Sequence, residues 1–412
     1  MDTLEEVMHE YDEWKAKNLS LNMARGKPSH EQEDLSRPML DLLASDADLS
    51  ASDGTNCANY GCLEGLPEAR ALMALMLDDD PANIIIGGGS SLNLMYDTLA
   101  RLMLFGAEGG QPWSQLEQVK WLCPVPGYDR HFSVLQDFGI QMISLPLGSD
   151  GPVLDDVAEL IASDSSIKGI WCVPQYSNPT GITYSDDMVR TLAALPCAAD
   201  DFRIFWDNAY SVHHLYDEEE RREHVLDIGQ ACREAGNPNR YIKFASTSKV
   251  TFPGAGISAI AASTDNIAWM RSHLQAQTIG FDKLNQLRHA RFLPTAEALD
   301  AHMRKHAAII APKFRLVEEA LAPLVEYGCT WSEPAGGYFI CFTGQPHTAK
   351  RTVELAAEAG VVLTQAGATH PYGQDPDDAT IRIAPTLPPA DELQLAMQVF
   401  VCCAKIAYLE AY

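Results

Sequence analysis

The chain has 412 residues, 46% of them hydrophobic, and its 30 Lys and Arg stand against 56 Asp and Glu for a net charge of −26. That apolar content supports packed interiors and excludes wholesale disorder, and at roughly 100–200 residues per domain the length predicts two or three domains. So acidic a surface repels phosphate backbones and anionic membranes, which excludes broad-face nucleic-acid binding while allowing a small basic pocket.

In chain order, Leu4, Val7, Met8, Tyr11 and Trp14 recur at helical spacing, and the acidic start is unlike a signal peptide. Pro67–Leu77 reads as a helix with proline in its first turn. Short β-rich runs then alternate with helices. NIIIG precedes a helix over residues 91–103, VKWLC one over 129–138, and IQMISL one over 155–162. IKGIWCV precedes a helix over 185–195 and FRIFWD one over 224–234, before YIKFAS and ISAIAA. This rhythm predicts an α/β fold whose mostly parallel sheet is flanked by helices. After Arg291 it changes to a long helix over 296–320, then YFICF, VVLT and TIRIA, and a last helix over 390–408. The expected division is a large domain at 50–295 and a smaller α/β domain at 296–412, joined by the N-terminal arm at 1–49.

Several features have plain structural readings. The ten cysteines include no C-x-x-C pair and several lie in apolar runs, so buried reduced thiols are expected rather than disulfides or a zinc site. His302 and His306 are four apart without further ligands, which predicts a solvated helix face and no metal. Asp53, Asp200 and Asp201 read as caps and turns, and DEEERREH (217–224) as a solvated helix start. No uninterrupted apolar run approaches the roughly 18 residues of a membrane helix, so a cytoplasmic chain with no membrane or nucleic-acid partner is expected.

Ligands of open α/β sheets collect beyond the carboxyl ends of the strands. NIIIG is followed by GGSSLN, where glycines and a helix start suit a phosphate, although a glycine turn with a serine cap explains it equally. It is neither a G-x-x-x-x-G-K-[ST] loop nor a G-x-G-x-x-G fingerprint. IKGIWCV leads into PQYSNPTG, and FRIFWD ends at Asp207, followed by Asn208, Ala209 and Tyr210. A carboxylate there would be costly to bury alone and should meet a cation. YIKFAS leads to Lys249, and a lysine in a dry pocket can lose its proton and attack a carbonyl.

NPTG, then D-x-A-Y, then S-T-S-K in this order resembles the class I aminotransferases of pyridoxal-phosphate fold type I. Y-G-x-x-x-G-L-P-E-A-R (60–70) and IRIAPT (381–386) extend the likeness over residues 20–400. RGKPS, PGYDRHF, FWDNAY and AGATHPYG resemble a divergent aspartate aminotransferase subgroup. The resemblance implies that Lys249 holds pyridoxal 5′-phosphate and shuttles the proton, and that Asp207 pairs with the pyridinium nitrogen. It implies further that Asn178 and Tyr210 bond the phenolic oxygen and that Tyr128 stacks on the ring. Ser90, Ser91, Ser246 and Ser248 are its candidates for the phosphate, with Tyr60 arriving from the other subunit of a homodimer with shared active sites. Arg382 would grip the α-carboxylate.

One departure stands out. The family usually follows its lysine with G-x-R-x-G, whose arginine binds phosphate, but here the stretch is PGAGIS and no basic residue lies between Lys249 and Arg271. For a second substrate carboxylate the candidates are Arg25, Lys27, Arg130, Lys283, Arg288 and Arg291, with Lys283, from the other subunit, preferred. The expected activity is amino transfer between an amino acid, aspartate or glutamate, and a 2-oxo acid. Transfer from alanine or aromatic donors, a β-lyase, or a regulator built on the same fold are the alternatives. The short acidic N-terminal arm speaks against the regulator.

Overall fold

The computed structural model describes residues 2–412 and arranges twelve strands in three sheets. In chain order these are β1 (Leu21–Asn22), β2 (Ile84–Ile86), β3 (Lys120–Val125), β4 (Gln141–Pro146), β5 (Ile167–Cys172) and β6 (Arg203–Asp207). They continue with β7 (Tyr241–Ser246), β8 (Ser258–Ala262), β9 (Thr330–Trp331), β10 (Ile340–Thr343), β11 (Val361–Val362) and β12 (Thr380–Ile383). The main sheet has the order β2-β8-β7-β6-β5-β3-β4, parallel except for β8, which runs against both its neighbours.

Central strands β5 and β6 are buried along their whole length, as continuous apolar runs covered on both faces must be. One face packs on helices Ser91–Phe105, Asp129–Asp137 and Thr264–Gln277, the other on Ala158–Ser163, Asp186–Ala194 and Ile228–Glu234. A separate apolar cluster joins helix Leu4–Ala16, the second half of Ala296–Leu321, strands β10 and β12, and helix Ala390–Ala411. The N-terminal arm reaches it by parallel pairing of Leu21 with Val361 and Asn22 with Val362.

Some boundaries and environments differ from the sequence reading. The acidic-basic run 217–224 is not a helix start: it holds a 3-10 turn at Glu219–Arg221, and the helix begins at Ile228, where Asp227 caps the N–H groups of Gly229 and Gln230. Asp201 is no simple cap, since its carboxylate accepts from Lys168 Nζ at 2.6 Å and from Trp113 Nε1 at 2.7 Å. His302 and His306 do not face solvent; both are buried beneath the turn that carries Lys249. Helices Thr264–Gln277 and Lys283–Phe292 escaped the reading because their apolar residues are sparse, and tertiary packing rather than pattern stabilises them. Helix Ala390–Ala411 is long and apolar enough by composition to cross a bilayer, yet it buries Phe400, Cys403 and Ile406 in the core. Lys243 of β7 is also buried, its Nζ 3.0 Å from Asp79 and 2.5 Å from Asp227 and donating to the Asp78 carbonyl at 2.8 Å. All ten cysteines are free thiols.

Candidate active site

A cavity of about 290 Å³ opens beyond the carboxyl ends of β2, β3, β5, β6 and β7, with β12 closing its far side. Its lining includes Ser90, Ser91, Tyr128, Asn178, Asp207, Tyr210, Ser246, Ser248, Lys249 and Arg382. The strand-end residues singled out in the sequence therefore converge on one space.

Asp207 ends β6 and is 4% exposed. Its Oδ2 lies 3.1 Å from His131 Nε2, and the His131 ring stacks on Trp171 with centroids 4.1 Å apart and an 8° interplanar angle. Oδ1 has no hydrogen-bond partner among the described residues. A buried carboxylate oxygen without a donor is strongly unfavourable, so this atom calls for a cationic N–H inside the cavity. His131 went unnoticed in the sequence; it lies within PGYDRHF, one turn beyond Tyr128, on the helix after β3.

Lys249 closes the 3-10 turn Thr247–Lys249 after β7. Enclosure by protein lowers its pKa; nearby Asp207 opposes that shift and Arg382 reinforces it. Its Nζ is 5.0 Å from the centroid of the Tyr210 ring. Tyr210 is buried, which raises its phenol well above the ordinary value, with the neighbouring Tyr128 and Asp207 adding to the shift, so it stays a donor. Burial, with Asp129 and Asp207 nearby, likewise pushes Tyr128 up to about 12. Tyr128 precedes helix Asp129–Asp137 and meets the His131 ring edge-on, centroids 5.0 Å apart.

Arg382 sits in β12 opposite Cys341, its guanidinium 4.9 Å above the Phe339 ring. Nη1 donates to Asp129 Oδ1 at 3.0 Å and to Asn178 Oδ1 at 3.3 Å, and Nη2 to Thr364 Oγ1 at 3.3 Å. Nε is buried and unpartnered among the described residues. Asp129 was not foreseen as a partner of this arginine. The bond from Arg382 engages the Asn178 side-chain oxygen, so what that side chain has left to give is its amide hydrogens.

Ser90 precedes helix Ser91–Phe105, whose first turn carries no acid and has no side-chain cap bond, so its N–H groups and dipole remain available to an anion. Ser246 Oγ donates to Ser248 Oγ at 3.0 Å, and Ser248 Oγ to the Gly89 carbonyl at 3.0 Å. Near the place where the family's arginine is expected stand Gly256 and the buried Ile257; a Cβ on Gly256 would lie 3.1 Å from Thr247 Oγ1, 3.2 Å from the Ser248 N and 3.3 Å from the Gly89 carbonyl oxygen. Gly256 thus lets main chain pack closely on this flank, where any side chain would be tight.

Tyr60 and Lys283 lie outside this chain's own cavity but close to each other: Tyr60 is 83% exposed, whereas Lys283 is buried, its Nζ donating to the Gly61 carbonyl at 2.9 Å. Arg288 bonds Asn285, and Arg291 the Asp48 and Ser50 carbonyls, so neither lines the cavity. Arg25, Lys27 and Arg130 do line it. With Lys249 and Arg382 they make five basic side chains against the two carboxylates Asp129 and Asp207, in a chain of net charge −26.

The site offers an amine of lowered basicity, a buried carboxylate oxygen awaiting a cationic donor, hydroxyls at a helix start and two phenols. These fit pyridoxal phosphate: an aldehyde for Lys249, a ring N–H for Asp207 Oδ1 and a phosphate for the serines. The chain matches the aspartate amino-transferase family over residues 1–412. It is 47% identical over 411 residues to an aspartate aminotransferase of Corynebacterium glutamicum, covering 99% of this chain and 94% of that one. The crystal structure of an aspartate transaminase from the same species superposes with a TM-score of 0.95 at 47% identity, over 99% and 96% of the two chains. An α-aminoadipate aminotransferase structure from Thermus thermophilus, 20% identical, shares the fold with a TM-score of 0.75 over 98% and 96%.

Proposed function

Because the chain belongs to the aspartate aminotransferase family, we propose that it moves the amino group of aspartate or glutamate to a 2-oxo acid, with pyridoxal phosphate carried on Lys249. The observation that supports this most is the pairing of an unpartnered, buried Asp207 Oδ1 with a lysine of lowered pKa in the same cavity. When bound, the cofactor supplies an electron sink for the charge that develops at the substrate Cα.

Each residue then has a defined task. Lys249 Nζ, whose charged form its enclosure disfavours, would hold the cofactor through its aldehyde carbon and, when freed by the substrate nitrogen, would be the group that moves the Cα proton. Asp207 keeps the ring nitrogen protonated, and His131, fixed by Trp171, holds the carboxylate in place. Asn178 and Tyr210 donate toward the phenolic oxygen. Tyr128 covers a ring face. Ser90, Ser91, Ser246 and Ser248 hold the phosphate with the helix start, in place of the absent arginine. Arg382 takes the α-carboxylate, exchanging Asp129 for substrate.

The exposed Tyr60 supports a homodimer in which each chain completes the other's cavity, Tyr60 at the phosphate; Lys283, assigned to the substrate side chain by the family likeness, is buried and would have to leave the Gly61 carbonyl to reach it. The separate apolar clusters support a large domain at 50–295 and a small one built from 1–49 and 296–412, with the first half of helix Ala296–Leu321 shared, since Leu299 and Met303 pack in a large-domain cluster. We place the protein in the cytoplasm. The test is a panel of amino donors on the reconstituted protein, following the cofactor's visible absorption and the oxo acid formed. Parallel-line kinetics with aspartate or glutamate are expected, and Lys249→Ala should abolish turnover. Release of ammonia and pyruvate without transfer, or normal turnover by Lys249→Ala, would sink the reading.

A further inference from the structure

Behind Lys249, on the side away from the cavity, lies a set of buried polar groups that the chemistry above does not use. Gln32, His213, His302 and His306 are all buried there, and the contacts fix the direction of most of their hydrogen bonds. Gln32 Oε1 accepts from the Ser29 N–H at 3.0 Å, which leaves Nε2 two hydrogens to give. One goes to His306 Nδ1 at 3.0 Å and the other to the Tyr338 oxygen at 2.9 Å. Tyr338 passes its own hydrogen to the Lys249 carbonyl at 3.4 Å, and His213 Nε2 meets the same carbonyl at 3.4 Å. Since His306 Nδ1 accepts, its hydrogen sits on Nε2, which lies 3.1 Å from His302 Nε2, so that the two ring N–H groups converge on the Val250 carbonyl. His302 Nε2 gives to that carbonyl at 2.7 Å.

Two consecutive carbonyls, those of Lys249 and Val250, are thus held by donors, and both are reached from the single amide of Gln32. Burial keeps His302 and His306 below the ordinary histidine pKa, and a neutral His306 is what lets its Nδ1 accept. Gln32 also belongs to the segment that places Arg25 and Lys27 on the cavity wall, and Tyr338 presents its ring 5.9 Å from Lys249 Nζ. A lysine that must release one atom and carry a proton to another needs a main chain that does not follow its side chain.

We propose that Gln32 is a positioning residue, whose amide, acting through Tyr338 and His306, fixes the main chain of Lys249 and Val250 and ties the Arg25–Lys27 segment to it. This rests on Lys249 being the cofactor-bearing lysine. The test compares Gln32→Leu, Gln32→Glu and Tyr338→Phe with wild type as full-length reconstituted protein. Gln32→Leu should lower kcat about tenfold, the worth of roughly one buried hydrogen bond, while leaving KM for the amino donor within about twofold because Arg382 is untouched. The pH at which the bound cofactor's visible absorption changes should shift, and the peptide covering residues 247–251 should exchange its amide hydrogens faster in the cofactor-free protein. Gln32→Glu keeps the acceptor for Ser29 but withdraws the donated hydrogens, and should behave like Gln32→Leu. The double variant with Tyr338→Phe should be no worse than Gln32→Leu alone, because the amide acts through the phenol. A folded Gln32→Leu protein with wild-type kcat and absorption titration, or fully additive losses in the double variant, would overturn the proposal. Should Gln32→Leu fail to fold, Tyr338→Phe decides by the same readouts, its kcat and absorption unchanged counting against the proposal. Failure of the wild type to bind cofactor or transfer nitrogen would instead remove the functional reading itself.

Discussion

Replacing Asp129 with asparagine is expected to tighten substrate binding. The Asp129 carboxylate holds Arg382 at 3.0 Å and its side chain is 31% exposed, whereas that of Arg382 is 7% exposed. An incoming α-carboxylate must take over a guanidinium that already has an anion. Fully exposed ion pairs contribute about 0.2–1 kcal/mol, and breaking buried ones costs about 3–5 kcal/mol. A pair with one partner buried and one partly wet falls between, at about 1–2 kcal/mol, or roughly a 5- to 30-fold lower KM. Arg382 would keep its bonds to Asn178 and Thr364, so its position should hold. The lost competition affects ground state and transition state alike, so kcat should change little. Steady-state kinetics over a range of aspartate, with the affinity of a non-reactive dicarboxylate measured alongside, reads both quantities. A KM that stays the same or rises would refute the reasoning and show that Asp129 orients Arg382 rather than competing for it.

Three further outcomes are expected. The lowered pKa of Lys249 means that its reactive neutral form accumulates at lower pH than for a free lysine, so cofactor capture by the cofactor-free protein should quicken with pH and level off below the ordinary lysine range. A rate still climbing through that range would count against an enclosed amine. Lys243→Met strands Asp79 and Asp227 beside each other in the interior, and urea unfolding should show a loss of about 3–5 kcal/mol; an unchanged midpoint would show that the carboxylates find other partners. Lys283→Met should impair aspartate as donor far more than alanine, and equal losses for both would remove Lys283 from substrate recognition.

Much of the site was legible because its residues sit where strands end. Asp207, Tyr210 and Lys249 follow apolar runs whose burial is written in their composition, and the carboxyl ends of parallel strands share one edge of a sheet. The likeness to a known family then assigned roles that single residues could not. Less was legible where ordinary side chains acquire their meaning from distant partners. His302 and His306 read as a wet helix face because their spacing says nothing about which side of a long helix is covered; Gln32, from far along the chain, covers it. Arg382 was foreseen as a carboxylate clamp, but its partner Asp129 is 253 residues away and looks like any acid at a helix start.

The amino-acid sequence by itself determined the alternation of strands and helices, the chemistry at the strand ends and the lack of an arginine after Lys249, since these depend on residue type and local spacing. Only the tertiary structure decided that Asp207 keeps one oxygen unpartnered, that Gly256 packs closely against Thr247, Ser248 and Gly89, and that Gln32 sends its hydrogens toward Tyr338 and His306 behind Lys249. Those properties depend on which groups meet across the fold, and a hydrogen bond takes its direction from the partner that packing supplies.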